Sequence, residues 1–409
     1  MNLVVYHLAG LVLGPIRDDC SSKTKMATLV SINVFNTTTK AICNNNMKNL
    51  PKKQMARLKK KILKMAQSGK NINDFKIAIE ENAVYFLDND ICKHLSHSGE
   101  TLLHRAVLSD NIDIVKYLVN EKHMDVNERN DQMKTPLHIA ATHNSIQSIK
   151  FLLNEGLANP SAVRTFSWTP LMYAASRGHI DIVKILVNAN VNIEDVNKEN
   201  MTALYLASRE GWYDVVVYLI KCGANVNIAS GTTNRTPLFC ALMNDHHEIV
   251  KYLIHNTNID IEGRDSSMNT IWHEIAACNS LNSFKFFVDN NNVSRIKSLI
   301  DVNCKNNIDQ HPIHLAAAEG HSEILKCMLN INNELINIKQ RDGNSPLHLA
   351  CCRGHINVVS TLIDFKCDVN AKGSNNRTAL TLAMGFKKHQ IAQLLLDNGA
   401  ISTNISYIK

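Results

Sequence analysis

The sequence predicts an all-α solenoid of stacked helix-turn-helix units with projecting turns, and three observations carry that prediction. A stretch reading SPLHLACCRGH, Ser345 to His355, recurs in recognisable copies through most of the 409 residues. The best-preserved copies open on Thr or Ser followed by Pro and close on Gly, the order that starts and stops a short helix. Beyond each Gly, apolar residues fall at helical spacing, which adds a second, amphipathic helix.

Aligned on the opening residue, the copies begin at Thr101, Thr135, Thr169, Thr202, Thr236, Thr270, His311, Ser345 and Thr378. Successive starts lie 34, 34, 33, 34, 34, 41, 34 and 33 residues apart. In five of the nine first helices a Pro such as Pro136 or Pro346 takes the first helical position, where its missing N–H costs nothing. Small pairs such as Ala140 and Ala141, or Ala174 and Ala175, let neighbouring helices approach, and Gly178, Gly320 and Gly354 end the first helix. The second helix presents one apolar face, as with Ile180, Val183, Leu186 and Val187, or Ile324, Leu325, Met328 and Leu329. Two short helices cannot bury that face alone, so the units must stack into one continuous core.

The copies TPLHIAA (Thr135–Ala141), TPLMYAASRGH (Thr169–His179) and HPIHLAAAEGH (His311–His321), at a period near 33, resemble the ankyrin repeat family. The resemblance implies nine repeats, at 98–131, 132–165, 166–198, 199–232, 233–266, 267–307, 308–341, 342–374 and 375–404, before a tail at 405–409. Segments such as Asp125–Asn127, Asn225–Asn227 and Asp368–Asn370 resemble the family's elbow, and the polar residues after each elbow make its β-turn fingers. Asn227 and Asn370 are elbow positions of the kind that are hydroxylated in some family members.

The N-terminal hundred residues differ from the array. They hold 15 Lys and Arg against 8 Asp and Glu, whereas residues 101–409 hold 29 of each, so the net charge of +7 lies ahead of the repeats. A neutral array offers no footprint for specific nucleic acid binding. Residues 1–50 read as a polar leader with an apolar run at 3–13, too short to span a bilayer; as a secretory signal it would direct the chain outside the cell. From Pro51 to Lys64 the text carries Lys52, Lys53, Arg57, Lys59, Lys60, Lys61 and Lys64 with no acid, a basic amphipathic helix. Within 51–97 this helix belongs to a degenerate capping repeat whose opening position falls at Lys60, 41 residues before Thr101. Nuclear import or contact with an acidic surface are the other roles open to it.

Chemistry is hard to find in this text. His273 and Glu274 begin a zinc-protease HExxH, but Ala277 stands where the second His is needed. His104, His138, His273, His314 and His348 share one motif position, and His179, His321 and His355 share another, which assigns them to hydrogen bonding between units rather than to metal. The 11 cysteines lack paired CxxC spacing, so they read as reduced, buried and structural, which suits the cytoplasm or nucleus. No catalytic residue, cofactor or metal site is expected. The 41-residue interval after Thr270 implies an insertion near 290–299, read as a hinge or contact loop, in a unit where Ile271 and Trp272 replace Pro and Leu.

What remains is a surface for another protein. In the resembled family the concave side, about 80 Å long here if helices stack 8–10 Å apart, is lined by fingers and first-helix ends. The position eight after each opening residue varies through Ser109, His143, Arg177, Glu210, Asn244, Cys278, Glu319, Arg353 and Phe386. Aromatic and Arg side chains anchor interfaces most often, which selects Phe166, Trp168, Arg177, Arg209 and Glu210 as the contact patch. A scaffold or adaptor is the expected function; a secreted effector or toxin-like array and a module recruiting a signalling or degradation enzyme are the alternatives.

Overall fold

The structure, a computed structural model, describes residues 52–68, 71–81, 98–289 and 301–401. A helix pair comes first, α1 (Lys52–Ser68) and α2 (Ile72–Glu81). Nine further pairs follow in register. They are α3 (Leu102–Leu108) with α4 (Ile112–Lys116), α5 (Pro136–His143) with α6 (Ile146–Asn154), and α7 (Pro170–Arg177) with α8 (Ile180–Asn188). Next stand α9 (Ala203–Glu210) with α10 (Tyr213–Lys221), α11 (Pro237–Met243) with α12 (His247–Asn256), and α13 (Ile271–Cys278) with α14 (Leu281–Asp289). The last three are α15 (Pro312–Glu319) with α16 (Ser322–Ile331), α17 (Pro346–Arg353) with α18 (Ile356–Asp364), and α19 (Ala379–Gly385) with α20 (His389–Asp397). Among the described residues the β structure amounts to an isolated bridge between Lys372 and Thr378, so the fold is an all-α repeat solenoid.

Every expected opening residue is the N-cap of its first helix, from Thr101 through Thr378, with extended backbone angles. In five of these units a His at the third helical position does the work usually given to Glu or Gln in a capping box. The Nδ1 atoms of His104, His138, His273, His314 and His348 lie 3.2, 3.2, 3.2, 3.1 and 3.3 Å from the N-cap amide nitrogen, which donates to them. Their Nε2 atoms reach carbonyls in or leading into the following unit, at 3.0 Å from Lys134, 3.1 Å from Trp168, 2.9 Å from Gln310, 3.1 Å from Ile338 and 3.2 Å from Arg377. A carbonyl only accepts, so Nε2 carries the proton and Nδ1 is the bare acceptor. Each imidazole is therefore neutral and ties a helix start to the chain that enters the next unit.

A second coupling joins the end of each first helix to the unit that follows. Gly178, Gly211 and Gly320 sit at φ 75°, 83° and 87°, in the left-handed region, and end α7, α9 and α15. A ring from the next unit lies directly on each glycine and donates to a carbonyl beside it. Trp212 Nε1 donates to Ser176 at 3.0 Å, His246 Nε2 to Arg209 at 3.1 Å, and His355 Nε2 to Ala318 at 2.8 Å. Where the glycine is replaced by Asp, the ring is replaced by a small Ser: Asp110 faces Ser145, and Asp245 faces Ser280. The carboxylate then crosses to cap the next second helix. Asp110 accepts from the amides of Gln147 at 3.1 Å and Ser148 at 2.7 Å, and Asp245 accepts from those of Asn282 at 3.2 Å and Ser283 at 2.9 Å. Ring-on-glycine and carboxylate-to-helix are thus two solutions to one stacking problem.

Elbows add a third tie. The side-chain oxygens of Asn127, Asn227 and Asn370 each accept from an amide of the next elbow, Asn159, Asp260 and Ile401, all at 2.8 Å. Together these bonds hold one hydrophobic core that runs from Ile62 to Ala400.

The N-terminal pair packs on the first repeat, α1 against α3 and α2 against α4. Ile62, Ala66, Phe75 and Ile79 are buried there, Phe75 meets the Tyr117 ring edge-on at 6.1 Å, and Lys76 pairs with Glu121 at 2.7 Å. The expected opening at Lys60 is not a helix start. The helix runs unbroken through it from Lys52 to Ser68, because nothing in KKQMARLKKKILK supplies a cap or a breaker. Arg57, Lys60, Lys61 and Lys64 are exposed and Lys59 is half-buried. Residues 1–50, the side chains of Lys52 and Lys53, the insertion at 290–299 and the tail at 405–409 lie outside what is described.

The cysteine reading needs one correction. Cys240, Cys304, Cys351 and Cys367 are buried, but Cys222 is exposed, because it caps the end of α10 at the rim instead of filling an alanine position. Trp272, standing where the motif has Leu, is buried against Phe284 and Phe287 at 5.8 and 5.3 Å, so the irregular sixth unit keeps a packed core.

Candidate functional site

Neighbouring first helices pack more closely than neighbouring second helices, as their paired alanines allow, and the first-helix side is the one expected to form the inner face. That inner face carries three sets of side chains: those just before each N-cap, those four residues after it, and those at the first-helix ends. Three of its residues bring together a patch that the sequence shows as unrelated positions. Trp168 stacks at 5.1 Å on Tyr173, and the Arg164 guanidinium lies 5.9 Å from the Trp168 ring and 5.2 Å from the Tyr173 ring. Lys134, on the preceding finger, stands 5.4 Å from the same Tyr173 ring.

The stretch where this patch lies is where the histidine bonding is interrupted. At the third helical position Met172, Tyr205 and Phe239 replace His in three consecutive units. Met172, Tyr205, Leu206 and Cys240 form an apolar cluster separate from the main core, with Trp168 and Met201 packed on it. Burial pushes the Tyr205 phenol up to about 12 and the Cys240 thiol up to about 11, so both remain protonated and neither is a nucleophile at neutral pH. Arginines bracket the cluster through sulfur contacts: Arg209 Nη1 lies 3.9 Å from Met201 Sδ, and Arg235 Nη1 lies 3.1 Å from Met243 Sδ.

Charge is distributed unevenly along this face. At one end Arg105 pairs with Glu100 at 2.8 Å. At the other, Arg235 pairs with the buried Glu274 at 3.0 Å and lies 3.7 Å from the buried Asp265. Glu274, which had begun a metalloprotease-like motif, is thus a structural partner, and burial raises its pKa. Between the two ends, Lys134, Arg164 and Arg177 crowd around Tyr173. Desolvation and then Arg164 lower the Lys134 pKa, Glu100 opposes them, and Arg177 adds a smaller lowering. Among the described residues no Asp or Glu pairs with any of these three cations.

The five contact residues selected from the sequence divide accordingly. Arg177 is exposed on the inner face beside this cluster. Trp168 is half-buried and belongs to the packing as much as to the surface. Arg209 and Glu210 neutralise each other, with Nη2 and Oε1 at 2.9 Å. Phe166 stands apart on a finger tip, 60% exposed, with Lys198 Nζ 5.6 Å from its ring. Sequence reasoning missed Lys134, Arg164, Tyr173 and Met201. The loss of His at Met172, Tyr205 and Phe239 was the available signal. Among the described residues, no group of three His, Cys, Asp or Glu is placed to hold a metal ion, and no helix is long and apolar enough to cross a membrane.

Known proteins agree with this architecture. A family model described as ankyrin repeats, in three copies, matches residues 62–162, 156–230, 229–297, 287–373 and 313–406. Rabankyrin-5 of Mus musculus is 38% identical over 72 residues, which is 18% of this chain and 6% of that protein. An ankyrin repeat protein of fowlpox virus is 28% identical over 150 residues, 34% of this chain and 40% of the viral protein. One from variola virus is 28% identical over 148 residues, 36% of this chain and 24% of its own length. The chain therefore spans less than half the length of each of these relatives. Caps, ring-on-glycine seams and elbows recur unit after unit, and the family model covers the chain from residue 62 to 406: the chain belongs to the ankyrin repeat family.

Proposed function

We propose that the protein is a non-enzymatic scaffold or adaptor that binds a protein partner through the inner face of repeats two to five. Ankyrin repeats generally mediate protein–protein interaction. The observation that supports this site is the departure of Met172, Tyr205 and Phe239 from the structural His, together with the separate apolar cluster beneath Trp168 and Met201. A packed aromatic and Met surface flanked by Arg has the composition of an interface core. Met201 adapts its shape to a partner, and Trp168 supplies area at little entropic cost.

Capture from native lysate tests the reading. Arg177→Glu is expected to reduce recovery of the main captured protein at least fivefold, whereas Lys184→Glu, on the exposed second-helix side, leaves recovery unchanged. Both substitutions change stability by about 0.5 kcal/mol or less, since neither side chain is buried. Trp168→Ala is the poorer probe, because the indole also packs on Tyr173 and its loss lowers stability. Equal recovery with both charge variants contradicts the assignment.

A further inference from the structure

We propose that the cationic nest around Tyr173 is an anion-reading subsite that takes the carboxylates of an extended acidic segment of the partner. This inference rests on the recognition role proposed above and names the chemistry of what is recognised.

Four observations lead there. Lys134 and Arg164, from two successive fingers, lie 5.4 and 5.2 Å from one aromatic ring, and the charge of Arg177, at a helix end, acts on the same side chain. Like charges brought together repel, and a fold spends stability on such an arrangement unless something opposes it. The cations at either end of the same face have carboxylate partners in direct contact, Glu100 for Arg105 and Glu274 for Arg235, whereas Glu100 acts on Lys134 only from beyond ion-pair distance. Finally, the Arg164 guanidinium lies 5.9 and 5.2 Å from the Trp168 and Tyr173 ring centres and, among the described residues, has no carboxylate within ion-pair distance.

The geometry suits carboxylates on an extended chain. A guanidinium offers paired N–H donors that match the two oxygens of a carboxylate. Tyr173 is 8% exposed and lies beneath the cations as a floor. Alternate side chains of an extended segment are about 7 Å apart on one face, a spacing that lets two acids engage neighbouring fingers while apolar residues between them meet Trp168 and Met201. His143 lies at the edge of the nest, its pKa lowered by desolvation and then by Lys134 and Arg177 against a smaller opposing effect of Glu100, so it adds no positive charge at neutral pH.

The test uses the full chain and a fluorescein-labelled peptide of sequence Glu-Glu-Leu-Glu-Glu-Leu-Glu-Glu, read by anisotropy, beside the same peptide with Gln for every Glu. The acidic peptide is expected to bind at least tenfold more tightly than the Gln peptide. That preference is expected to shrink with salt between about 0.1 and about 0.5 M and to vanish in the triple variant Lys134→Gln, Arg164→Gln, Arg177→Gln. Arg177→Gln alone, at an exposed helix end that folding does not need, is expected to weaken the acidic peptide about threefold, a single screened contact's worth. Equal binding of the two peptides overturns the subsite while leaving recognition by the inner face standing. A preference that survives in the triple variant places the anion site elsewhere and overturns it too. Absence of any binding of the acidic peptide also overturns it, and the lysate capture with Arg177→Glu and Lys184→Glu then judges the broader role independently.

Discussion

Acidification from pH 7 to pH 5 is expected to lower the denaturant midpoint of the array steeply, by about 2 kcal/mol of stability for each of four buried imidazoles. Burial pushes His104, His138, His273 and His314 down from the ordinary 6.5 to about 4. Unfolded, these side chains take up a proton near pH 6.5; folded, they resist it until about pH 4. The unfolded chain therefore binds more protons throughout that window. Stability is fully present above pH 6.5 and is lost as pH falls towards 4. The bonding adds to burial: at all four Nδ1 accepts from the N-cap amide, and a proton placed there would set two donors against each other. Urea titrations at pH 7 and pH 5, followed by circular dichroism, measure the effect. His138→Gln is expected to flatten the dependence by the share of one imidazole. Superimposable titrations at the two pH values would show that these rings are free to protonate in the folded state.

Gly178→Ala is expected to cost about 3 kcal/mol, part from the left-handed backbone and part from collision with the next repeat. The residue sits at φ +75°, and an added Cβ would lie 2.4 Å from Trp212 Cδ2. Gly223→Ala separates the two contributions, because Gly223 has φ +94° but nothing within 4 Å of an added Cβ. It is expected to cost about 1 kcal/mol, the backbone share alone. Trp212→Ser in the Gly178→Ala background removes the collision and imitates the Ser145 and Ser280 seams. The two changes are expected to couple by at least about 1 kcal/mol in a double-mutant cycle. Equal costs for Gly178→Ala and Gly223→Ala would mean that the ring does not rest on the glycine.

Much of this fold was legible because the repeat prints each interaction several times. Thr135 before Pro136, and His138 three positions after the cap, appear together in unit after unit, and a pattern of that kind has to answer a backbone requirement. The seams were legible in principle as well. Gly178 is followed one unit later by Trp212 and Gly211 by His246, while Asp110 and Asp245 are followed by Ser145 and Ser280. That pairing shows only when residues are compared across units, at intervals of 34 or 35 positions, and not within one.

The site was legible in part. Choosing the column eight after each cap located Arg177, but a column fixes one face position per unit, whereas the nest is assembled from different columns: Lys134 before a cap, Arg164 five residues before the next, Tyr173 inside a helix. Stacking geometry sets which of these meet. The same geometry demoted Arg209 and Glu210, whose mutual ion pair is a matter of side-chain conformation that no spacing encodes. The capping pair was foreseen as a packed terminal unit, but its start was misplaced at Lys60, since an inferred register cannot replace a missing cap residue.

The most direct test of the account is where on the array a partner touches. A photo-crosslinking amino acid placed at Arg177, at Met201 or at Lys184 would be irradiated in the full chain in native lysate, and the adducts identified by mass spectrometry. The account predicts that Arg177 and Met201 crosslink to the same protein and that Lys184 does not. Adducts to that protein from Lys184 alone would put recognition on the second-helix side and contradict it.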